Sequence, residues 1–107
     1  VRTGKRWIVQ NRLDDVATAL VPMPAGEHIV DVDLGVQLRL LQDIPFGHKF
    51  SVREIAAGEK VHKYGQVIGR ATKPIRAGEH VHVHNLESLR GRGDLQRLAD
   101  EVREGKA

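Results

Sequence analysis

The residues best suited to chemistry lie in Gly78-Glu-His-Val-His-Val-His-Asn85, which gathers three of the chain's six histidines into five positions. Polar and apolar residues alternate there, the period of a half-buried strand. Val81 and Val83 are expected to face inward, and His80, His82 and His84 outward on one side. Same-face neighbours on a strand stand roughly 6.5–7 Å apart at the backbone. Two adjacent imidazoles can lean onto one cation or one substrate, but the outer pair, about 13 Å apart, cannot. His82 and His84 are therefore the expected pair, a spacing that suits a divalent transition metal, and His80 reads as surface. An ordinary polar strand face fits the same pattern.

Gly47-His-Lys49 is a second candidate. It follows a Pro-Phe-Gly turn, where a scaffold can aim His48. The adjacent Lys49 disfavours an imidazolium at His48, which suits a base or ligand near neutral pH. An exposed turn pair is the alternative. In Lys63-Tyr-Gly-Gln-Val-Ile-Gly69 the glycines mark a tight turn and a close backbone approach, so this stretch reads as structural. Asp14-Asp15 reads as a turn rather than as working carboxylates. His28 and His62 have no partners nearby in sequence and read as surface. No phosphate loop, nucleophile elbow, zinc-protease motif or dinucleotide fingerprint is present.

Short strands must position these groups. Residues 5–11 read as a first strand with Trp7 and Val9 on one face, and residues 15–21 as a second. Residues 36–41 read as a third, with Val36, Leu38 and Leu40 inside. Pro22-Met-Pro-Ala-Gly26 and Ile44-Pro-Phe-Gly47 are turns. Ile55-Ala-Ala-Gly-Glu-Lys-Val61 returns as Ile75-Arg-Ala-Gly-Glu-His-Val81, and Pro24-Ala-Gly-Glu-His-Ile29 is a weaker copy. Each copy is a strand–turn–strand unit whose glycine takes backbone angles that other residues resist. The pattern points to a compact all-β domain. After Gly91-Arg-Gly93, Asp94 reads as a helix cap, and Leu95, Leu98, Ala99 and Val102 follow helical spacing.

A chain of 107 residues supports one domain with a modest core. No apolar run approaches the length of a membrane span, and no secretory signal is visible. With no cysteine, disulfide and thiolate chemistry are excluded, and a cytoplasmic location is expected. The net charge of +3 is mild. Basic residues near the C-terminus alternate with Glu87, Asp94, Asp100, Glu101 and Glu104, a solvated surface rather than the aromatic-interleaved stripe of a nucleic-acid binder. Neither a nucleic-acid nor a membrane partner is expected. An exposed apolar edge or tail helix could pair the chain with a second copy.

Taken together, Ile44-Pro-Phe-Gly-His-Lys-Phe50, Ile55-Ala-Ala-Gly-Glu59, Val61-His-Lys-Tyr-Gly65, Ile68-Gly-Arg-Ala71, Ile75-Arg-Ala-Gly-Glu79 and Val81-His-Val-His-Asn85 resemble the N-terminal domain of the altronate/galactarate dehydratase family. The resemblance covers roughly residues 6–86. It implies a SAF-type domain of β-clip fold, placed over residues 1–88; the polar tail over 89–107, with a short helix at about 94–104 read from its own spacing, lies outside the match. Phe46 and Ser51 depart from the family pattern, and neither touches the histidines. The family dehydrates sugar acids, and some members release sulfite from sulfolactate. The resemblance implies a stand-alone small subunit, with a large catalytic subunit as partner and an aldonic or aldaric acid as substrate. It also implies a divalent metal, Fe(II) or Mn(II). On this reading His82, His84 and His48 are metal ligands, His48 and Lys49 are catalytic, and Lys49 and Asn85 bind substrate. The alternatives are the small subunit of a sulfolactate sulfo-lyase and a non-catalytic binding or assembly module of the same fold.

Overall fold

Four copies of one turn set the spacing of the strands. They are Met23-Pro-Ala-Gly-Glu-His-Ile29, Ile44-Pro-Phe-Gly-His-Lys-Phe50, Ile55-Ala-Ala-Gly-Glu-Lys-Val61 and Ile75-Arg-Ala-Gly-Glu-His-Val81. In each, the N–H after the glycine donates to the carbonyl three residues back: Glu27 to Pro24, His48 to Pro45, Glu59 to Ala56 and Glu79 to Arg76. The glycines have φ of 90°, 80°, 83° and 88° at Gly26, Gly47, Gly58 and Gly78, the geometry of a type II turn. The apolar residues that open the copies bridge in pairs, Met23 with Ile44 and Ile55 with Ile75. The second copy is invisible as a repeat in sequence because His48 replaces the glutamate.

That replacement has a local cause. In the third and fourth copies the glutamate accepts from a backbone N–H inside its own turn, Glu59 from Ala56 at 2.8 Å and Glu79 from Arg76 at 3.0 Å. In the first and second copies the same position is Pro24 or Pro45, which has no N–H to offer. Glu27 is thereby released to pair with Arg6 at 2.9 Å, and residue 48 need not be a carboxylate at all.

The computed structural model describes residues 6–88, and within them the chain is all strand and loop. The strands are β1 (Trp7–Ile8), β2 (Val16–Ala19), β3 (His28–Asp31), β4 (Val36–Arg39), β5 (Lys49–Ser51), β6 (Lys60–Lys63), β7 (Gln66–Ala71), β8 (His80–Val81) and β9 (Leu86–Ser88). They form sheets of order β1-β2-β5-β8, β3-β4 and β6-β7-β9, and every pairing is antiparallel. The strands expected at 5–11, 15–21 and 36–41 are present but shorter. The helix expected at about 94–104 lies outside the described residues. No helix among the described residues is long and apolar enough to cross a membrane.

Alternation along the four-stranded sheet feeds two cores. Ala17, Ala19 and Phe50 join Trp7, Met23, Ile29, Leu40 and Ile44, with Trp7 edge-on to Phe50 at 6.2 Å. Val16 and Val81 face the other way, onto Ile55, Val61, Ile68, Ala71 and Ile75. Burying each such aliphatic side chain contributes roughly 1.5–3 kcal/mol.

Asp14 and Asp15 hold the β6–β7 hairpin to β2. Both are buried, so they are more than the solvent turn their sequence suggests. Asp14 accepts the N–H groups of Asn11, Tyr64 and Gly65 at 2.8–3.0 Å, which fixes the hairpin turn where Tyr64 sits at φ 60°. Asp15 accepts from Arg53 Nε and from the backbone N–H and ring Nδ1 of His62. His62, expected to lack a partner, finds one 47 residues away. Burial pushes the Asp15 carboxyl up, but the hydrogen bonds from Arg53 and His62 outweigh it and hold it below its ordinary value. Gly69 makes the expected close approach: a Cβ there would lie 2.5 Å from the Glu87 carbonyl oxygen.

Gly58→Ala and Gly78→Ala separate backbone angle from crowding. A Cβ at Gly58 meets nothing within 4 Å, so only the positive φ opposes it, at about 1–2 kcal/mol. A Cβ at Gly78 would lie 2.3 Å from the Arg39 carbonyl oxygen. Urea unfolding is expected to show Gly78→Ala losing at least about twice as much stability as Gly58→Ala. Equal losses would refute the close-approach account. Asp15 gives a pH signature. Its folded-state pKa is depressed, so its stabilisation is complete above the unfolded carboxylate value near 3.8 and is lost as pH falls through the lower folded value. Asp15→Asn is expected to lose about 2 kcal/mol at neutral pH and to flatten this acid limb in denaturant titrations.

Candidate functional site

β5 and β8 pair with Lys49 opposite Val81 and Phe50 opposite His80. One residue beyond Lys49↔Val81, His48 and His82 face each other. Their rings stack at 4.4 Å between centroids, 19° from parallel. Side chains alternate along a strand, so His80 and His82 share one face of β8, on the side where His48 arrives from β5. His48 Nδ1 lies 2.9 Å from His80 Nε2, a direct hydrogen bond between rings. One ring nitrogen from each of His48, His80 and His82 lies within 4.8 Å of the others. All three residues are half-buried.

The trio differs from the expected His48, His82 and His84. β8 ends at Val81, and the chain turns over residues 82–85. Asn85 causes the turn. Its Oδ1 accepts the His82 N–H at 3.0 Å and its Nδ2 donates to the His80 carbonyl at 2.8 Å. Asn85 is 0% exposed, so the structure places it beneath the histidines as the support of their turn and not on the surface a substrate would meet. The turn carries His84 outward and leaves Val83 81% exposed where the alternation predicts it inside. The His84 ring stays 5.4 Å from His80, tilted, outside the trio.

His80 is the residue that sequence reasoning set aside. The separation of about 13 Å expected from His84 on an unbroken strand does not hold, because the turn leaves the two rings 5.4 Å apart, and the partner that draws His80 into the trio comes from β5. Only the register of β5 against β8 brings His48 in, and no local pattern in the sequence encodes that pairing.

Burial pushes the His80 and His82 rings below the ordinary imidazole value, and repulsion from His48, His84 and Lys49 acts in the same direction. Both are therefore neutral, with a lone pair to offer, at neutral pH. Burial also lowers the Lys49 pKa, with Lys63 adding repulsion. Lys49 points to the opposite face of β5 from His48, into a shallow cleft of about 260 Å³ whose other walls are Ile68, His82, Val83, Leu86 and Ser88. His82 thus borders both the histidine cluster and the cleft. Phe46 and Val83 expose apolar side chains, 67% and 81% accessible, on the turns that carry His48 and His82.

The donor set fits a transition-metal ion. Adjacent ligands on a metal bound at about 2.0–2.1 Å stand about 3.0–3.4 Å apart. The His48 Nδ1–His80 Nε2 separation of 2.9 Å is just inside that spacing, and the donor atoms of all three rings lie within 4.8 Å of one another. Three imidazoles with no carboxylate among them suit Zn(II) or Fe(II) held by side chains that leave positions open.

Comparison with known proteins agrees with this architecture. The (2R)-sulfolactate sulfo-lyase subunit alpha of Chromohalobacter salexigens is 45% identical over 89 residues, covering 78% of this chain and 95% of that subunit. The altronate dehydratase of Escherichia coli is 40% identical over 100 residues, and that of Bacillus subtilis 36% over 84 residues. Those matches span only 20% and 16% of the two dehydratases. The profile of the altronate/galactarate dehydratase SAF domain matches residues 5–89, and the chain belongs to that family.

Proposed function

We propose that this chain is the small subunit of a lyase that cleaves a bond β to the carboxylate of a hydroxy acid, with (2R)-sulfolactate as the favoured substrate. The observation that carries this reading is the convergence of His48, His80 and His82 at the surface, where a second polypeptide is needed to wall in a substrate. The substrate assignment rests on the near full-length likeness to a sulfo-lyase alpha subunit. Likeness to altronate dehydratase supports a second reading, loss of water from an aldonic or aldaric acid. The exposed Phe46 and Val83 beside the histidines support docking of a large catalytic subunit over the cluster.

Both reactions begin with loss of the proton α to a carboxylate and end with departure of the β substituent, sulfite in one and water in the other. The proton is weakly acidic, so the anion needs stabilising charge beside it. A divalent cation, when bound, would polarise the carboxylate and hydroxyl of the acid. On this chain His48, His80 and His82 would hold that cation, and Lys49 would meet substrate oxygens. Asn85 keeps His80 and His82 aimed by fixing their backbone.

Titration with Zn(II) is expected to show one site. His48→Ala, His80→Ala and His82→Ala should each weaken it at least about tenfold, and His84→Ala much less. Metal binding needs neutral rings. Because the His80 and His82 pKa values are lowered from 6.5, affinity should persist below that pH and fall only as pH passes their lower values. Loss of affinity already above pH 6.5 would count against the trio. The isolated chain is expected to have no lyase activity. With its large partner, His82→Ala should reduce turnover at least about a hundredfold. Activity within a few-fold of normal would instead mark the chain as a non-catalytic assembly module.

A further inference from the structure

Among the described residues Lys49 is a cation without a counter-ion. No carboxylate of the described residues pairs with it, and its neighbours in charge are Lys63 and the histidines, all of the same sign or neutral. It is half-buried at one wall of the 260 Å³ cleft, and Ile68, Val83 and Leu86 make most of the rest apolar. Burying a lone ammonium is unfavourable, and a fold keeps one where an anion completes it. Apolar walls strengthen the attraction between that ammonium and an anion by keeping water away. The cleft is contiguous with the histidine cluster through His82, which lines it.

We propose that the Lys49 cleft binds a second anionic group of the substrate, so that the site selects compact dianions over monoanionic hydroxy acids. The claim about substrate rests on the lyase-subunit reading, and the claim about the anion rests on the cleft alone. One acid group meets the histidine side, and the other, a sulfonate or a carboxylate, meets Lys49 Nζ. Lys49 is then the specificity-determining residue of this subunit.

Three 2-hydroxy acids of one skeleton test this: lactate, malate and (2R)-sulfolactate. The second carries an added carboxylate and the third an added sulfonate. Each is titrated into the full chain in the presence of a chelator, with backbone amide NMR signals as the readout. Malate or sulfolactate is expected to shift the signals of Lys49, Ile68 and Leu86 and to bind at least about tenfold more tightly than lactate. The tighter of the two identifies the second group as carboxylate or sulfonate. Lys49→Gln should reduce the dianions to the affinity of lactate, while Lys49→Arg should retain the preference. Equal binding of all three acids to the unaltered chain, or a preference that survives Lys49→Gln, overturns the proposal. The chelator separates this outcome from the metal reading. A failed Zn(II) titration would sink the trio as ligands without touching the dianion preference, and a lost preference would leave the trio intact.

Discussion

The histidine cluster depends on the register between β5 and β8. With Lys49 opposite Val81, His48 meets His82 on one face while Val81 enters the core on the other. A slip of one residue would send the imidazoles inward and a valine out. The core guards against this. Phe50 and Val81 are both fully buried, on opposite sides of the same two strands, so a slip of either strand would pull one of them from its pocket. The position of the polar cluster is therefore enforced by apolar packing behind it.

Asn85 and Asp15 play comparable parts at two ends of the molecule. Each is a buried polar side chain whose capacity is spent on backbone or charged partners. Each fixes a segment that hydrophobic burial alone would leave loose, a turn of the histidine loop in one case and the β6–β7 hairpin in the other. Neither reaches solvent to act on a ligand. The groups free to act stand one layer further out, on the backbone that these two residues hold.

Much of the scaffold was legible in the sequence. The Gly-Glu repeat announced turns with positive φ at Gly58 and Gly78, and alternation announced strands of the right kind at the right places. His48 and His82 were legible as well. What the sequence hid was contact between distant segments: His62 with Asp15, and His80 with His48. The period of two also ran too far. It predicted a strand through His84, but a single buried asparagine carboxamide ended it at Val81 by taking up the His82 N–H.

The pairing of Pro45 with His48 bears on how such a site can arise. In a turn that begins with alanine or arginine, the glutamate has an amide to satisfy, and replacing it by an imidazole leaves that donor to water. Once proline occupies the opening position, the glutamate is dispensable, and the position becomes open to selection for another purpose. With Pro45 in place, an imidazole at position 48 leaves no turn amide unpaired. A quadruplicated turn offers several places for that experiment, and in this chain the one that took a histidine is the one that pairs directly with β8.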